Sequence, residues 1–181
     1  MKREVLLNKK SDTESYNLKS NTKVRAMKVE DNHVKVVPAP VIFLIFLALG
    51  LILNWILPFP SLKDVLAVRV AGLLVICMGL LVGLGAIVQM HRAHTSPNPH
   101  KPAAALVETG VFRYTRNPLY LSLFVMYIGI ALCVNVLWLV LLCPFLIWSV
   151  EKWVVKPEED YLERRFSDAY RQYKKRVSRW I

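Results

Sequence analysis

Charge is what the middle of this chain lacks. Val41 to Pro60 has no charged residue in 20 positions, Val70 to Val88 is 19 residues without a polar side chain, and Asn117 to Val150 is 34 uncharged residues. Each of the first two is long enough to cross a hydrocarbon core of ~30 Å as a helix, which a soluble core would not require. The same lack of buried charge argues against a channel or transporter, since such proteins usually display ionisable groups within the membrane. Cysteine is scarce as well. Cys77, Cys133 and Cys143 are an odd number, lie inside the apolar runs and have no CxxC spacing, so they read as small core residues, neither disulfide-bonded nor metal-bound. No Gly-rich strand-to-helix turn of a dinucleotide-type fold is present. A hydrophilic leader of 40 residues precedes the first run, so no cleavable signal peptide is expected and the first span would direct insertion.

Acidic residues are few beside basic ones, 13 against 24, and the net charge is +11. The basic residues are distributed unevenly. Nine precede Val41, four (Arg92, Lys101, Arg113, Arg116) lie between the second and third apolar regions, and nine follow Val150, leaving Lys63 and Arg69 for the opposite face. Because Lys and Arg are retained on the cytoplasmic side, four spans with both termini and the central loop inside satisfy the pattern. Topology and anionic lipid then account for the net charge, and a nucleic-acid partner is not expected.

The expected fold class is all-α, a polytopic membrane helix bundle with four transmembrane helices and a C-terminal amphipathic helix. As one helix, the third apolar region would extend about 51 Å, so it is read as a hairpin turning at Asn135, its one strongly polar interior position. The spans fall at about 41–58, 67–90, 118–134 and 136–155. A flexible cytoplasmic arm (1–38), a cytoplasmic loop (91–117) and a cytoplasmic tail (156–181) complete the chain. In the second span, Gly72, Gly79, Gly83 and Gly85 line a helix of Leu, Val and Ile. Gly79-x-x-x-Gly83 is the spacing that lets membrane helices approach closely, whereas Gly83-Leu84-Gly85 nearer the cytoplasmic end would also admit a ligand to bare backbone. His91, His94 and His100 in the loop have no Cys or acid beside them to complete a metal shell, so no metal is assigned.

In the tail, Lys156-Pro157-Glu158-Glu159-Asp160 reads as the opening of a new helix. Leu162, Phe166, Ala169, Tyr170 and Tyr173 recur at spacings of 3 and 4 and form its apolar stripe. With the hairpin closed at Asn135, Asn117 and Trp153 are each 18 residues from the turn, which brings Arg113 and Arg116 to the depth of Glu158 and Glu159. Acids and bases held together at the mouth of a hydrophobic span either form a structural ion-pair belt or hold a ligand.

Two blocks of residues carry a family resemblance: Gly110-x-Phe112-x-x-Thr115-Arg116-Asn117-Pro118-x-Tyr120, and Glu158-Glu159-x-x-Leu162-x-x-x-Phe166-x-x-x-Tyr170-x-x-Tyr173-x-x-x-Val177. Together they resemble the isoprenylcysteine carboxyl methyltransferase family of integral membrane enzymes in its short prokaryotic form, over about Val70 to Ile181. The related phospholipid N-methyltransferases have a GxG in a membrane helix and a Glu-Glu pair, and Gly83-Leu84-Gly85 and Glu158-Glu159 match that pattern too. The family commonly has His at Asn117, Gly at Ser167 and Pro at Ser178.

The resemblance implies an S-adenosylmethionine-dependent methyltransferase whose cofactor pocket lies on the cytoplasmic side and is closed by the C-terminal helix. Its cofactor residues would be His100, Leu106, Val107, Gly110, Tyr114, Arg116, Asn117, Pro118, Tyr120, Glu158 and Glu159. Arg116, Glu159 and Arg176 would carry the chemistry, Arg116 pairing with the cofactor carboxylate, Glu158 or Glu159 taking its ammonium or ribose, and Arg176 orienting an anionic acceptor. Tyr114 or Tyr120 would lie near adenine or sulfonium. The implied partners are a lipophilic or lipidated acceptor and membrane lipid, in a prokaryotic inner membrane. Phospholipid N-methylation and a non-enzymatic scaffold are the alternatives.

Overall fold

Prolines set the limits of the first helix, α1 (Ala39–Ile56). Pro40 sits in its first turn, where a missing N–H leaves no bond unmade, and the Pro38 carbonyl accepts the Val41 N–H at 2.9 Å. At the other end Pro58 disfavours a helical conformation for Leu57, which adopts φ −128° and ψ 77°. The Leu57 carbonyl thus released accepts the Trp138 indole N–H at 2.8 Å. The computed structural model describes residues 37–59, 65–98 and 101–181. The arm expected over 1–38 falls outside the described residues except for Val37 and Pro38, and so does His100.

The remaining elements are α2 (Val65–Arg92), a 3₁₀ turn (Gly110–Arg113), α3 (Pro118–Val134), α4 (Leu137–Val150), a π-helical turn (Glu151–Val155) and α5 (Lys156–Arg176). All described secondary structure is helical. Three helical stretches are long and apolar enough to cross a membrane: Ala39–Ile56, Leu66–Arg92 and the one that begins at Leu137. The 28 residues of α2 extend ~42 Å, beyond a ~30 Å hydrocarbon core, so its polar end at Gln89–Arg92 can reach past the lipid. The 17 residues of α3 are fewer than a typical span uses. Its hairpin with α4 turns at Asn135, whose left-handed conformation (φ 54°, ψ 47°) lets its N–H close the helix on the Ala131 and Leu132 carbonyls.

Small residues hold α2 against α3. A Cβ on Gly72 would come within 2.7 Å of the Gly129 carbonyl oxygen and the Cys133 nitrogen, and one on Gly129 within 2.8 Å of the Gly72 oxygen. Gly79 lies against Met126 and the Ser122 carbonyl, and Gly83 against the Ser122 hydroxyl, so this row of glycines is a packing seam. Gly50 gives α1 the same closeness to Leu139 of α4. A core of Phe43, Phe124, Tyr127, Leu139, Leu146 and Val150 fills the space between α1, α3 and α4. Since lipid is as apolar as these side chains, close contact stabilises the bundle more than exclusion of water does.

The last α-helix begins at Lys156, as expected, but it follows α4 through a π-helical turn and not through a loop. Helical turns run on from Leu137 through Glu151–Val155 into α5, as far as the kink at Ser167, and the Lys156 N–H bonds the Glu151 carbonyl across a widened turn. Pro157, which has no N–H and crowds the turn before it, follows directly. The proline therefore widens the helix where the sequence suggested a new start.

Candidate active site

The segment leading into α3 is held by the C-terminal tail. Gly110 begins the 3₁₀ turn at φ 61°, a conformation suited to glycine, with its backbone close against Gln89. The buried Tyr173 hydroxyl donates to the Phe112 carbonyl at 2.7 Å. Beyond the turn, the Arg116 N–H donates to the Ser178 carbonyl at 3.1 Å. The Thr115 hydroxyl and the Asn117 amide donate to the Arg179 carbonyl at 3.0 and 3.2 Å. Trp180 packs edge-on to Phe124 at 5.4 Å and fixes the end of the tail.

This scaffold points Arg116 at α5. Its guanidinium pairs with Glu159 at 2.9 Å, with the two side chains 9% and 7% exposed, and donates to the Tyr170 hydroxyl at 3.4 Å. The Arg116 Nε is buried and has no hydrogen-bond partner. Glu159 is also held by Arg179, whose Nε donates to Oε1, the oxygen that Arg116 pairs with, at 3.1 Å and whose second guanidinium nitrogen donates to Oε2 at 2.7 Å, and the remaining nitrogen of Arg179 reaches Glu151. Glu158 accepts the Tyr120 hydroxyl at 2.6 Å.

The loop after α2 completes the enclosure. Ala104 donates to the buried Thr95 hydroxyl at 3.1 Å, while Ala103 donates to the Tyr161 hydroxyl and accepts from Arg165, each at 3.1 Å. These bonds fasten the loop to α5 over an open cavity whose wall combines apolar side chains with a few convergent polar groups, the usual make-up of a small-molecule site. Its wall includes Thr95, Leu106 and Val107 from the loop, Arg116 and Asn117 just before α3, Pro118 and Tyr120 from α3, and Glu158, Glu159, Tyr161, Tyr170 and Tyr173 from α5.

Burial shapes the protonation of this wall beyond Val155, where the apolar part of the long helix ends. It raises the Glu158 carboxyl above the usual range, the hydrogen bond from Tyr120 partly offsets this, and the neighbouring Glu159 adds to it. Glu158 retains some accessible surface, and it lines the cavity. Burial also pushes the Tyr170 phenol up to about 12. The hydrogen bond to Glu159 raises Arg179, so that guanidinium stays charged.

Of the residues singled out from sequence, Leu106, Val107, Arg116, Asn117, Pro118, Tyr120, Glu158 and Glu159 meet at the cavity. Others stand elsewhere. Tyr114 is 77% exposed and does not line the cavity, because the turn after Arg113 directs it outward. Arg176 pairs with Glu108 at 2.6 Å and is mostly exposed, away from the cavity wall. Gly110 supports the turn without lining the cavity, Arg113 is exposed, and Gly83 and Gly85 face Ser122 and Val111. Sequence reasoning missed Arg179 and the loop residues around Thr95 and Ala103. For Arg179 the available signal was a lone arginine within an aromatic and apolar end, Val177-Ser178-Arg179-Trp180-Ile181.

The sequence model of the phospholipid methyltransferase family matches residues 67–169, more than half of the chain and most of the segments that build this cavity. The chain belongs to that family. Among curated relatives of this phospholipid methyltransferase family member is the protein-S-isoprenylcysteine O-methyltransferase of Schizosaccharomyces pombe, 28% identical over 104 residues, covering 56% of this chain and 44% of the relative. The enzyme of the same name from Saccharomyces cerevisiae is 35% identical over 129 residues, covering 66% of this chain and 53% of the relative. The chain thus spans about half the length of the curated relatives it matches. No solved structure gives a significant match.

Proposed function

We propose that this family member is an integral membrane methyltransferase that uses S-adenosylmethionine to methylate the carboxylate of an isoprenylcysteine-like, lipophilic acceptor. The observation that carries this reading is the buried Arg116–Glu159 pair at a cavity wall, with one guanidinium N–H unpartnered. A buried N–H without an acceptor costs free energy and is ready to receive a ligand's anionic group. The donor set fits the cofactor. Arg116 would bind its carboxylate, Glu158 and Glu159 its ammonium or ribose hydroxyls, and the aromatic side chains its flat and cationic parts. When bound, it supplies a methyl group made electrophilic by a sulfonium.

The protein's own task is to hold an acceptor oxygen in line with that methyl and to keep water out. The loop fastened at Ala103 and Tyr161 covers the cavity, and Leu106, Val107 and Phe112 make its wall apolar. A carboxylate acceptor needs no base. The family match favours a second reading, N-methylation of a phospholipid amine, in which a base must take the amine proton. Glu158 and Glu159 lie at the cavity for that role, whereas His94 is exposed and outside it.

In this reading the chain crosses the membrane four times, with α3 as the short span. Both ends and the cavity would then lie on the cytoplasmic side of a prokaryotic inner membrane, an orientation supported by the excess of basic residues in the loops and termini. The test is transfer of radiolabelled methyl by purified protein to a prenyl-cysteine analogue and to phosphatidylethanolamine, side by side. Label in the prenyl-cysteine supports carboxyl methylation, label in the lipid supports the second reading, and label in neither contradicts both.

A further inference from the structure

An isolated buried pair of Arg116 and Glu159 would satisfy itself, and an anionic ligand would have to compete with Glu159 for the guanidinium. The site avoids this because Glu159 has a second cation, Arg179, which binds Oε1, the oxygen paired with Arg116, at 3.1 Å and holds Oε2 at 2.7 Å. The result is an Arg–Glu–Arg row. Its inner member lines the cavity and keeps a buried N–H without a partner, and its outer member, with a side chain 30% exposed, is balanced by Glu151, 29% exposed, where water screens the charge.

The helix is built to allow this arrangement. Eight residues separate Glu151 from Glu159, which in an unbroken α-helix would set them about 80° apart around the axis. The additional residue of the π-helical turn at Glu151–Val155 removes about 100°, leaving the two acids within about 20° of one face. Both then reach the same guanidinium. The carbonyl of Arg179, meanwhile, accepts from Thr115 and Asn117, on either side of Arg116. A single tail residue thus joins the basic and the acidic halves of the site, by its main chain and its side chain respectively.

We infer that Arg179 is a positioning residue that shares the charge of Glu159 and so keeps Arg116 available to a ligand carboxylate. This rests on the reading of the cavity as an S-adenosylmethionine site. It also makes a claim that a merely structural role would not. Loss of Arg179 weakens binding of a ligand that has the carboxylate and spares one that lacks it.

The test is titration of the full chain in lipid nanodiscs with S-adenosylmethionine and with decarboxylated S-adenosylmethionine, which keeps the sulfonium, ribose, adenine and amine. For Arg179→Gln the expected result is at least ~10-fold weaker binding of the first ligand and a change of less than ~2-fold for the second. Equal effects on the two ligands, or none, would overturn the inference. If Arg179→Gln does not fold, the same comparison on Arg179→Lys decides it, a selective loss supporting the inference and an equal or absent loss opposing it. A wild-type protein that binds neither ligand overturns the methyltransferase reading itself, and the inference with it.

Discussion

The Tyr120 hydroxyl donates to Glu158 at 2.6 Å, tying the first turn of α3 to the first turn of α5 on the cavity wall. Tyr120→Phe keeps the ring and removes the donor, leaving a buried carboxyl short of a partner. The expected cost is ~1–3 kcal/mol, read as a lower melting temperature in detergent. An unchanged melting temperature would show that the bond adds nothing to stability.

Glu158 also gives the fold a pH dependence of known sign. Burial raises its carboxyl in the folded protein, so the folded state favours the protonated form. Its contribution to stability is complete below the ordinary carboxyl range, from about pH 4 downward, and is lost as pH rises through the raised value. Glu158→Gln mimics the neutral form. Melting curves collected across this pH range should fall less steeply with rising pH in the variant than in the wild type, and parallel curves would contradict the assignment.

Ser167 interrupts α5 with φ 46° and ψ −115°, a backbone conformation that a residue with a Cβ adopts under strain. Its side chain is exposed, so little packing depends on it. Ser167→Gly relieves the strain and is expected to stabilise the protein by ~0.5–1 kcal/mol, net of the greater freedom of glycine in the unfolded chain. Ser167→Val should destabilise it. Thermal unfolding of the two variants decides, and shifts in the opposite directions would refute the strain.

Local features made much of this architecture legible. Charge-free runs marked the helices, and Asn135 marked the hairpin turn because a polar residue that tolerates a left-handed backbone is conspicuous in an apolar run. The meeting of Arg116 with Glu159 followed from equal distances to that turn. Other features depend on tertiary contacts. Pro157 read as a helix start, and only the widened turn before it shows how the helix continues. Arg179 finds Glu159 and Glu151 at separations of 20 and 28 residues by folding back of an irregular tail, which no periodicity announces. Tyr114 and Arg176 stand in the same motifs as site residues, yet the local backbone sends them outward.

The central claim is that Arg116 and Glu159 form the binding wall of an S-adenosylmethionine site. The most direct measurement is calorimetric titration of that ligand into wild-type protein, Arg116→Ala and Glu159→Ala in nanodiscs. The expected result is saturable binding by the wild type, weakened at least ~10-fold in each variant, as for loss of a buried charged partner. No binding by the wild type, or equal binding by all three proteins, would contradict it.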